Sequence, residues 1–322
     1  SGTLDMAGLS ETVKYLAGSG GSVSNSGATQ SVLTLNQANC GGQTYSGTID
    51  GDVRLVVQHA TAKNSDVQTL TGANTFAGGL VIDNGHVRIN AATNLGAVPG
   101  SLDPDNITLT NAGVLQNNNT DPVLDANRGI TLGAGGGQIW AGWSKSFTVN
   151  GPITGSGSLI KADSGTVLLT NTASDYSGGT TVTAGLLRAS DRTIGAGGLT
   201  LQSGGILFNV SGSGGGASYY DNDFGKAVTL GAGGGGFRSG WGAMTLSGPI
   251  SGVGSFTIVN DGVITVSNTA NSYDGNTTIG AGGSGNNATI QLGASEVIPH
   301  GAGKGNLVFN ASSGGTATFN LA

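Results

Sequence analysis

The sequence predicts an all-β fold, a right-handed parallel β-helix (β-solenoid) that is elongated and contains little or no helix. Short β-branched runs such as VRLVV (Val53 to Val57) and GTVLLT (Gly165 to Thr170) are bounded by Gly, Asn, Asp and Ser, the pattern of strands separated by turns. The 62 glycines among 322 residues disfavour helices, because each interior glycine costs about 1 kcal/mol relative to alanine. A long internal repeat favours a stacked array over a sandwich.

Two repeated blocks carry this signal. An aromatic residue precedes a glycine turn at Phe76, Tyr176 and Tyr273, at spacings of 100 (176 − 76) and 97 (273 − 176) residues. The block ITLGAGGGQIW from Ile130 returns in the same phase as VTLGAGGGGFR from Val228. Repetition of this kind is typical of solenoids, in which each turn contacts only its neighbours.

We therefore expect one continuous solenoid over residues 1–322, made of about three degenerate long repeats. The expected boundaries are approximately 1–75, 76–173, 174–270 and a partial 271–322. At about 20–25 residues per turn, within the size range of solenoid repeats, the chain would hold about 13–16 turns.

Composition and charge exclude several classes of protein. The net charge is −6, and the 12 Lys and Arg residues are scattered, so no basic face is available for nucleic acid. No stretch approaches the roughly 20 apolar residues of a membrane helix, and the chain is not expected to span a membrane. Cys40 is the only cysteine, which rules out an internal disulfide.

Two segments that carry the repeat resemble a known family. LTGANTFAGGLVIDNGHVRI (Leu70 to Ile89) and LTNTASDYSGGTTVTAGLLRA (Leu169 to Ala189) are similar to the autotransporter-associated β-strand repeat, a strand, a glycine-rich turn and a second strand. The segment from Leu4 to Leu35 resembles one that commonly accompanies those repeats. The resemblance implies a bacterial surface or secreted protein whose passenger is a long parallel β-helix.

The residue types needed for catalysis are not grouped along the sequence, so we expect no enzyme, no cofactor and no catalytic residue. Glycoside hydrolysis would need paired carboxylates, yet Asp175 and Asp274 occupy repeat positions 99 residues apart (274 − 175). His59, His86 and His300 lack the short spacings of a metal site. No G-x-S-x-G motif is present, and this removes a common indication of a hydrolase.

Two acidic clusters are candidates for calcium binding. LDPDN contains Asp103 and Asp105, and YYDNDFG contains Asp221 and Asp223. Carboxylates two residues apart, together with loop carbonyls, suit an ion that takes six to eight oxygen ligands. The alternative is that both clusters are solvated loops, because Asp and Asn are common turn residues.

Aromatic residues in glycine-rich or loop segments are candidates for contact with a ligand or partner. They are Trp140, Trp143, Trp241, Tyr219 and Tyr220. Aromatic faces beside amide groups suit sugars or protein surfaces. Packing in the core or at the solenoid corners is the alternative role for the same residues.

The expected function is that of an extracellular structural or adhesive β-solenoid, either a surface stalk or a subunit of a head-to-tail fibre. The first and last segments, SGTLDMA and SGGTATFNLA, look like equivalent positions of the repeat, which leaves two interpretations open. The sequence is a fragment of a longer array, or its subunits assemble end to end, since an open strand edge invites pairing. A host-surface or glycan ligand is the other expected partner. A carbohydrate-binding or carbohydrate-cleaving passenger is the alternative function.

Overall fold

The computed structural model describes residues 2–59, 65–208, 223–239, 242–259, 262–281, 287–311 and 313–321. Parallel sheets form a β-solenoid, and the predicted all-β class is confirmed. The number of turns is about 11, fewer than the 13–16 expected. A single 3-10 helix, η1 (Ala92–Leu95), is the one helical element of the described residues.

The chain divides into two compact units. The first unit contains residues 1–160 and 165–178, and the second contains residues 161–164 and 179–322. The strands up to residue 169 are β1 (Thr3–Asp5), β2 (Glu11–Val13), β3 (Ser22–Ser24), β4 (Ser31–Asn36), β5 (Gly42–Tyr45), β6 (Thr48–Ile49), β7 (Val53–Gln58), β8 (Val67–Leu70), β9 (Leu80–Asp83), β10 (His86–Ile89), β11 (Asp103–Thr110), β12 (Gly113–Asn117), β13 (Val123–Leu124), β14 (Arg128–Leu132), β15 (Gly137–Trp140), β16 (Ser146–Val149), β17 (Ile153–Gly155), β18 (Leu159–Ala162) and β19 (Thr166–Leu169).

The remaining strands all belong to the second unit. They are β20 (Thr180–Val182), β21 (Leu186–Arg188), β22 (Leu199–Leu201), β23 (Gly205–Phe208), β24 (Asp223–Phe224), β25 (Val228–Leu230), β26 (Gly235–Arg238), β27 (Ala243–Leu246), β28 (Ile250–Ser251), β29 (Phe256–Val259), β30 (Gly262–Val266), β31 (Thr277–Ala281), β32 (Asn287–Leu292), β33 (Leu307–Phe309) and β34 (Thr316–Leu321).

In the first unit, strands one solenoid turn apart pair in parallel. Side chains of the same kind therefore stack on one another in successive turns. Leu33 pairs with Leu55, Leu55 with Leu80, and Leu80 with Ile107, so the turns take 22 (55 − 33), 25 (80 − 55) and 27 (107 − 80) residues. All four side chains are buried. Alternate residues of a strand point to opposite faces, so every second residue of these runs enters the core.

An aromatic column strengthens the core of the second unit. Successive ring centroids of Phe224, Phe237, Phe256 and Tyr273 lie 6.5, 5.6 and 5.7 Å apart in tilted or edge-on geometry. Aromatic pairs favour such arrangements over face-to-face stacking. The column supplies large apolar side chains to a part of the core whose neighbouring turns are rich in glycine.

Buried asparagines hold the corners that precede the repeated aromatic residues. Asn74 accepts a hydrogen bond from the Ile49 amide at 2.8 Å and donates to the Asn94 carbonyl at 2.6 Å. Asn271 accepts from the Ile250 amide at 2.8 Å and donates to a carbonyl on the following turn. Each asparagine side chain hydrogen-bonds to buried backbone groups that have no partner in the sheet at the corner. This gives the repeated motif its structural role.

Replacing Asn271 with alanine should lower the free energy of unfolding by about 2 kcal/mol, because the buried Ile250 amide and Val297 carbonyl would lose their partner. Chemical denaturation would measure the change. Asn310→Ala, at an exposed position, is the matched control and should leave the midpoint unchanged. Equal midpoints for both variants would contradict this role for Asn271.

Candidate functional site

An outward column of polar and aromatic side chains runs across three strands of the first unit. Arg88 of β10 pairs with Gln116 of β12, which pairs with Trp140 of β15. Their neighbours Val87 and Leu115 point into the core and are fully buried. Because side chains alternate between the two faces of a strand, Arg88, Gln116 and Trp140 point outward. We name these three residues the first ladder.

Direct contacts fix the first ladder in place. The Gln116 side-chain oxygen accepts hydrogen bonds from Arg88 Nε at 3.0 Å and from His86 Nε2 at 2.9 Å. Trp140 Nε1 donates to the side-chain oxygen of Gln138 at 3.0 Å. The rings of Trp140 and His86 meet edge to face, with centroids 5.1 Å apart. Trp140 thus serves partly as packing, with its half-buried ring available at the surface.

His86 is an uncharged member of this cluster at neutral pH. Its side chain is buried, and desolvation lowers the pKa of the imidazole to about 4. Donation from Nε2 to the Gln116 oxygen places the ring proton on Nε2. Nδ1 is buried and has no hydrogen-bond partner among the residues that the structure describes. Arg88 therefore carries the positive charge of the first ladder.

Trp143 is the most exposed aromatic side chain of the described residues, at 79%. It lies on the turn that follows β15, where Ser144 adopts a left-handed backbone with φ of 57°. The turn is closed by a hydrogen bond from the Lys145 amide to the Gly142 carbonyl at 3.0 Å. Buried Asn117 accepts a further bond from the Gly142 amide at 2.8 Å. A large apolar surface is thereby displayed on an anchored turn.

The predicted calcium residues of the first unit do not converge on a closed site. Asp103 accepts a hydrogen bond from Asn106 Nδ2 at 3.2 Å, and Asp105 is exposed. Throughout the described ranges, no group of three or more His, Cys, Asp or Glu side chains is placed to hold a metal ion. Asp223 is exposed at the start of β24. Calcium binding at these residues stays a prediction.

The remaining sequence candidates lie outside the described residues. They are Tyr219, Tyr220, Asp221 and Trp241. Across the part of the chain that the structure covers, no helix has both the length and the apolar character needed to cross a membrane.

Sequence reasoning identified Trp140 and Trp143 and missed their neighbours Arg88, Gln116 and His86. The three ladder positions are 28 (116 − 88) and 24 (140 − 116) residues apart. Because no single sequence period relates the three positions, they become neighbours only through the register of the paired strands. The sequence signal that would have indicated the ladder is a cationic, an amide and an indole side chain at outward positions of successive strands.

Comparison with known proteins connects the chain to surface proteins of bacteria. The passenger-associated-transport-repeat family matches residues 61–89 and 159–189. In an alignment over 299 residues that covers 87% of the chain, the sequence is 29% identical to "Adhesin BmaC autotransporter" of Brucella suis biovar 1 (strain 1330). The chain spans 8% of the length of that relative. No solved structure matches the chain.

Acidification should destabilise the first unit through His86. The folded imidazole has a pKa of about 4, whereas the unfolded value is about 6.5. The stability contributed by the neutral ring is present above pH 6.5 and is lost as the pH falls through the folded pKa, by up to about 3 kcal/mol.

Urea denaturation between pH 7 and pH 4 would measure this loss. His86→Gln should remove that part of the pH dependence, while His300→Gln, at an exposed histidine, should keep the wild-type profile. Identical profiles for wild type and His86→Gln would disprove the assignment.

Proposed function

We propose that this protein, an autotransporter passenger-type repeat protein of the bacterial surface or extracellular space, is an adhesive β-solenoid without enzymatic activity. The observation that carries the proposal is the 79% exposure of Trp143 on a turn anchored by buried Asn117. An exposed indole of this kind is enriched where proteins contact ligands or partners. The first ladder ends at Trp140 on β15, the strand that leads into this turn, and its Arg88 adds hydrogen-bond donors.

Rigid presentation supports the adhesive role. The Trp143 turn is held by backbone bonds and by Asn117, so little conformational entropy is lost when a ligand is bound. The half-buried Trp140 ring is fixed by Gln138 and His86. Aromatic faces with adjacent polar groups suit the apolar faces and hydroxyl groups of sugars, as well as protein surfaces.

The chemistry of the first ladder favours binding over cleavage. Its members and their direct neighbour are an arginine, a glutamine, a tryptophan and a neutral histidine. Glycoside hydrolysis in most families needs two carboxyl groups about 5–10 Å apart, and the ladder supplies none. The similar protein from Brucella suis is named an adhesin, which agrees with a binding role.

Trp143→Ala should weaken adhesion by about fivefold to tenfold, since an aromatic contact contributes about 1 kcal/mol beyond its buried area. Labelled protein would be titrated onto cultured epithelial cells and onto immobilised mannan, starch and cellulose. Val253→Ala, at an apolar side chain that is 68% exposed, is the control and should bind like wild type. Wild-type adhesion by the Trp143 variant would reject the site.

End-to-end assembly is a second candidate function, favoured by apolar side chains on edge strands. Phe309 on β33 and Leu321 on β34 are 55% and 73% exposed, and Leu4 on β1 is 41% exposed. Among the described strands, β34 pairs only with β32 and ends its sheet. An exposed apolar edge is a template for pairing with another chain.

If β34 pairs with β1 of a second copy, a dilution series should show particles that lengthen with concentration. Sedimentation and electron microscopy would measure their size. Leu321→Lys, on β34, should shift the distribution toward monomers, because a desolvated charge opposes the contact, while Val253→Lys should not. Monomers of the wild-type chain at every concentration would exclude assembly.

A further inference from the structure

We propose that the second unit carries a binding site for the sulfate or carboxylate groups of an acidic polysaccharide. The site consists of Arg188 and Arg238, held on the two sides of Phe208. It goes beyond the Trp143 surface because it lies in the other unit and uses charge, so either site can fail without the other.

Strand register creates this second column. Arg188 of β21 pairs with Phe208 of β23, and Phe208 pairs with Arg238 of β26. The preceding residues Leu187 and Leu207 are fully buried, so the column faces outward. We name Arg188, Phe208 and Arg238 the second ladder.

Both guanidinium groups stack on the same phenyl ring. Their central carbons lie 5.2 Å (Arg188) and 4.8 Å (Arg238) from the centroid of Phe208, within the range of cation–π attraction. The Nε atom of each arginine is buried and has no hydrogen-bond partner among the described residues. The stack, and not a protein acceptor, therefore sets the orientation of the two groups.

The second ladder concentrates positive charge in a chain of net charge −6. Four ion pairs are found among the described residues, and neither Arg188 nor Arg238 takes part in them. Two turns separate the two cations, which places them about 10 Å apart at the usual strand spacing. Their mutual repulsion is relieved by a bound anion, so an anionic ligand has a specific energetic reason to occupy this face.

Arginine also sets the kind of anion. Its planar guanidinium presents paired N–H donors that match the oxygens of a carboxylate or sulfate in a bidentate geometry. With Nε buried beside the phenyl ring, the terminal nitrogens are the donors left for the ligand. Two such forks along the solenoid axis suit a linear polymer with regularly spaced anions.

The face favours a polysaccharide over an acidic peptide. β23 is paired on both sides, with β21 and with β26, so its backbone groups are not available for strand addition. The common modes of peptide recognition use an open edge or a groove lined by apolar side chains. On this face a ligand meets side chains, among them the two arginines and the ring.

The first unit provides an internal comparison. Arg88 and Arg188 are each the second-last residue of a matched repeat, 61–89 and 159–189. In the first ladder the cation bonds to Gln116 through Nε, and the column continues to Trp140. In the second ladder the same position continues to a second arginine. Anion binding is therefore expected of the second ladder and not of the first.

The test is a titration of the whole chain against immobilised polygalacturonate, dextran sulfate and neutral dextran at low and physiological salt. We expect binding to one or both acidic polymers, none to neutral dextran, and an affinity that falls as salt screens the charges. Arg188→Gln and Arg238→Gln should each reduce affinity at least tenfold. Arg238→Lys should restore only part of it, because lysine keeps the charge and loses the planar fork.

Arg54→Gln and Lys14→Gln each remove one positive charge outside both ladders and should bind like wild type. Phe208→Leu should weaken binding while leaving both charges in place, and equal unfolding midpoints would establish that each variant is folded. The proposal is overturned if wild type binds neither acidic polymer, or if the two control variants lose as much affinity as the ladder variants. Equal or tighter binding to poly-glutamate would also overturn it, in favour of an acidic protein ligand.

Discussion

Parallel pairing in register is the constraint on which the rest of this structure depends. Each strand must place its residues directly beside the matching residues one turn earlier, so one position of the solenoid becomes a column of similar side chains. Inward columns such as Leu33, Leu55 and Leu80 form the core. Outward columns are released from the demand for apolar residues, and both ladders arise there. Core packing and surface chemistry are therefore separated by strand alternation alone.

At the corners of the solenoid turns, parallel pairing ends and backbone groups lose their partners in the sheet. Backbone groups that leave the sheet still need partners in a buried setting, and asparagines supply them at Asn74 and Asn271. Buried cations do the same for carbonyl groups. Arg128 is fully buried and donates to the Leu95 carbonyl at 3.1 Å, and Lys161 donates to the Ala184 carbonyl at 2.8 Å. Desolvation lowers the pKa of Lys161 to about 8, which shows how strongly its surroundings exclude water.

The two ladders illustrate how a degenerate repeat gains different surface chemistry on one scaffold. Arg88 is followed by an amide and an indole, whereas Arg188 is followed by a phenyl ring and a second guanidinium. Arg188 and Arg238 stack on the Phe208 ring, whereas Arg88 is held to Gln116 by a hydrogen bond. Because neighbouring turns hold the backbone, a substitution at an outward position changes the surface chemistry and leaves the core columns intact.

Strand periodicity, glycine content and the recurring aromatic turns were sufficient to predict a parallel β-solenoid with little helix, because alternation and turn chemistry are local properties of a chain. Trp143 was likewise recognisable as a surface candidate from its glycine-rich setting. The ladders were not predictable, since their members are separated by 28 and 24 residues in one unit and by 20 (208 − 188) and 30 (238 − 208) in the other. Insertions in the turns change the sequence spacing without changing the stacking. Which side chains meet, and that His86, Arg128 and Lys161 are buried, therefore depended on the register of the folded turns.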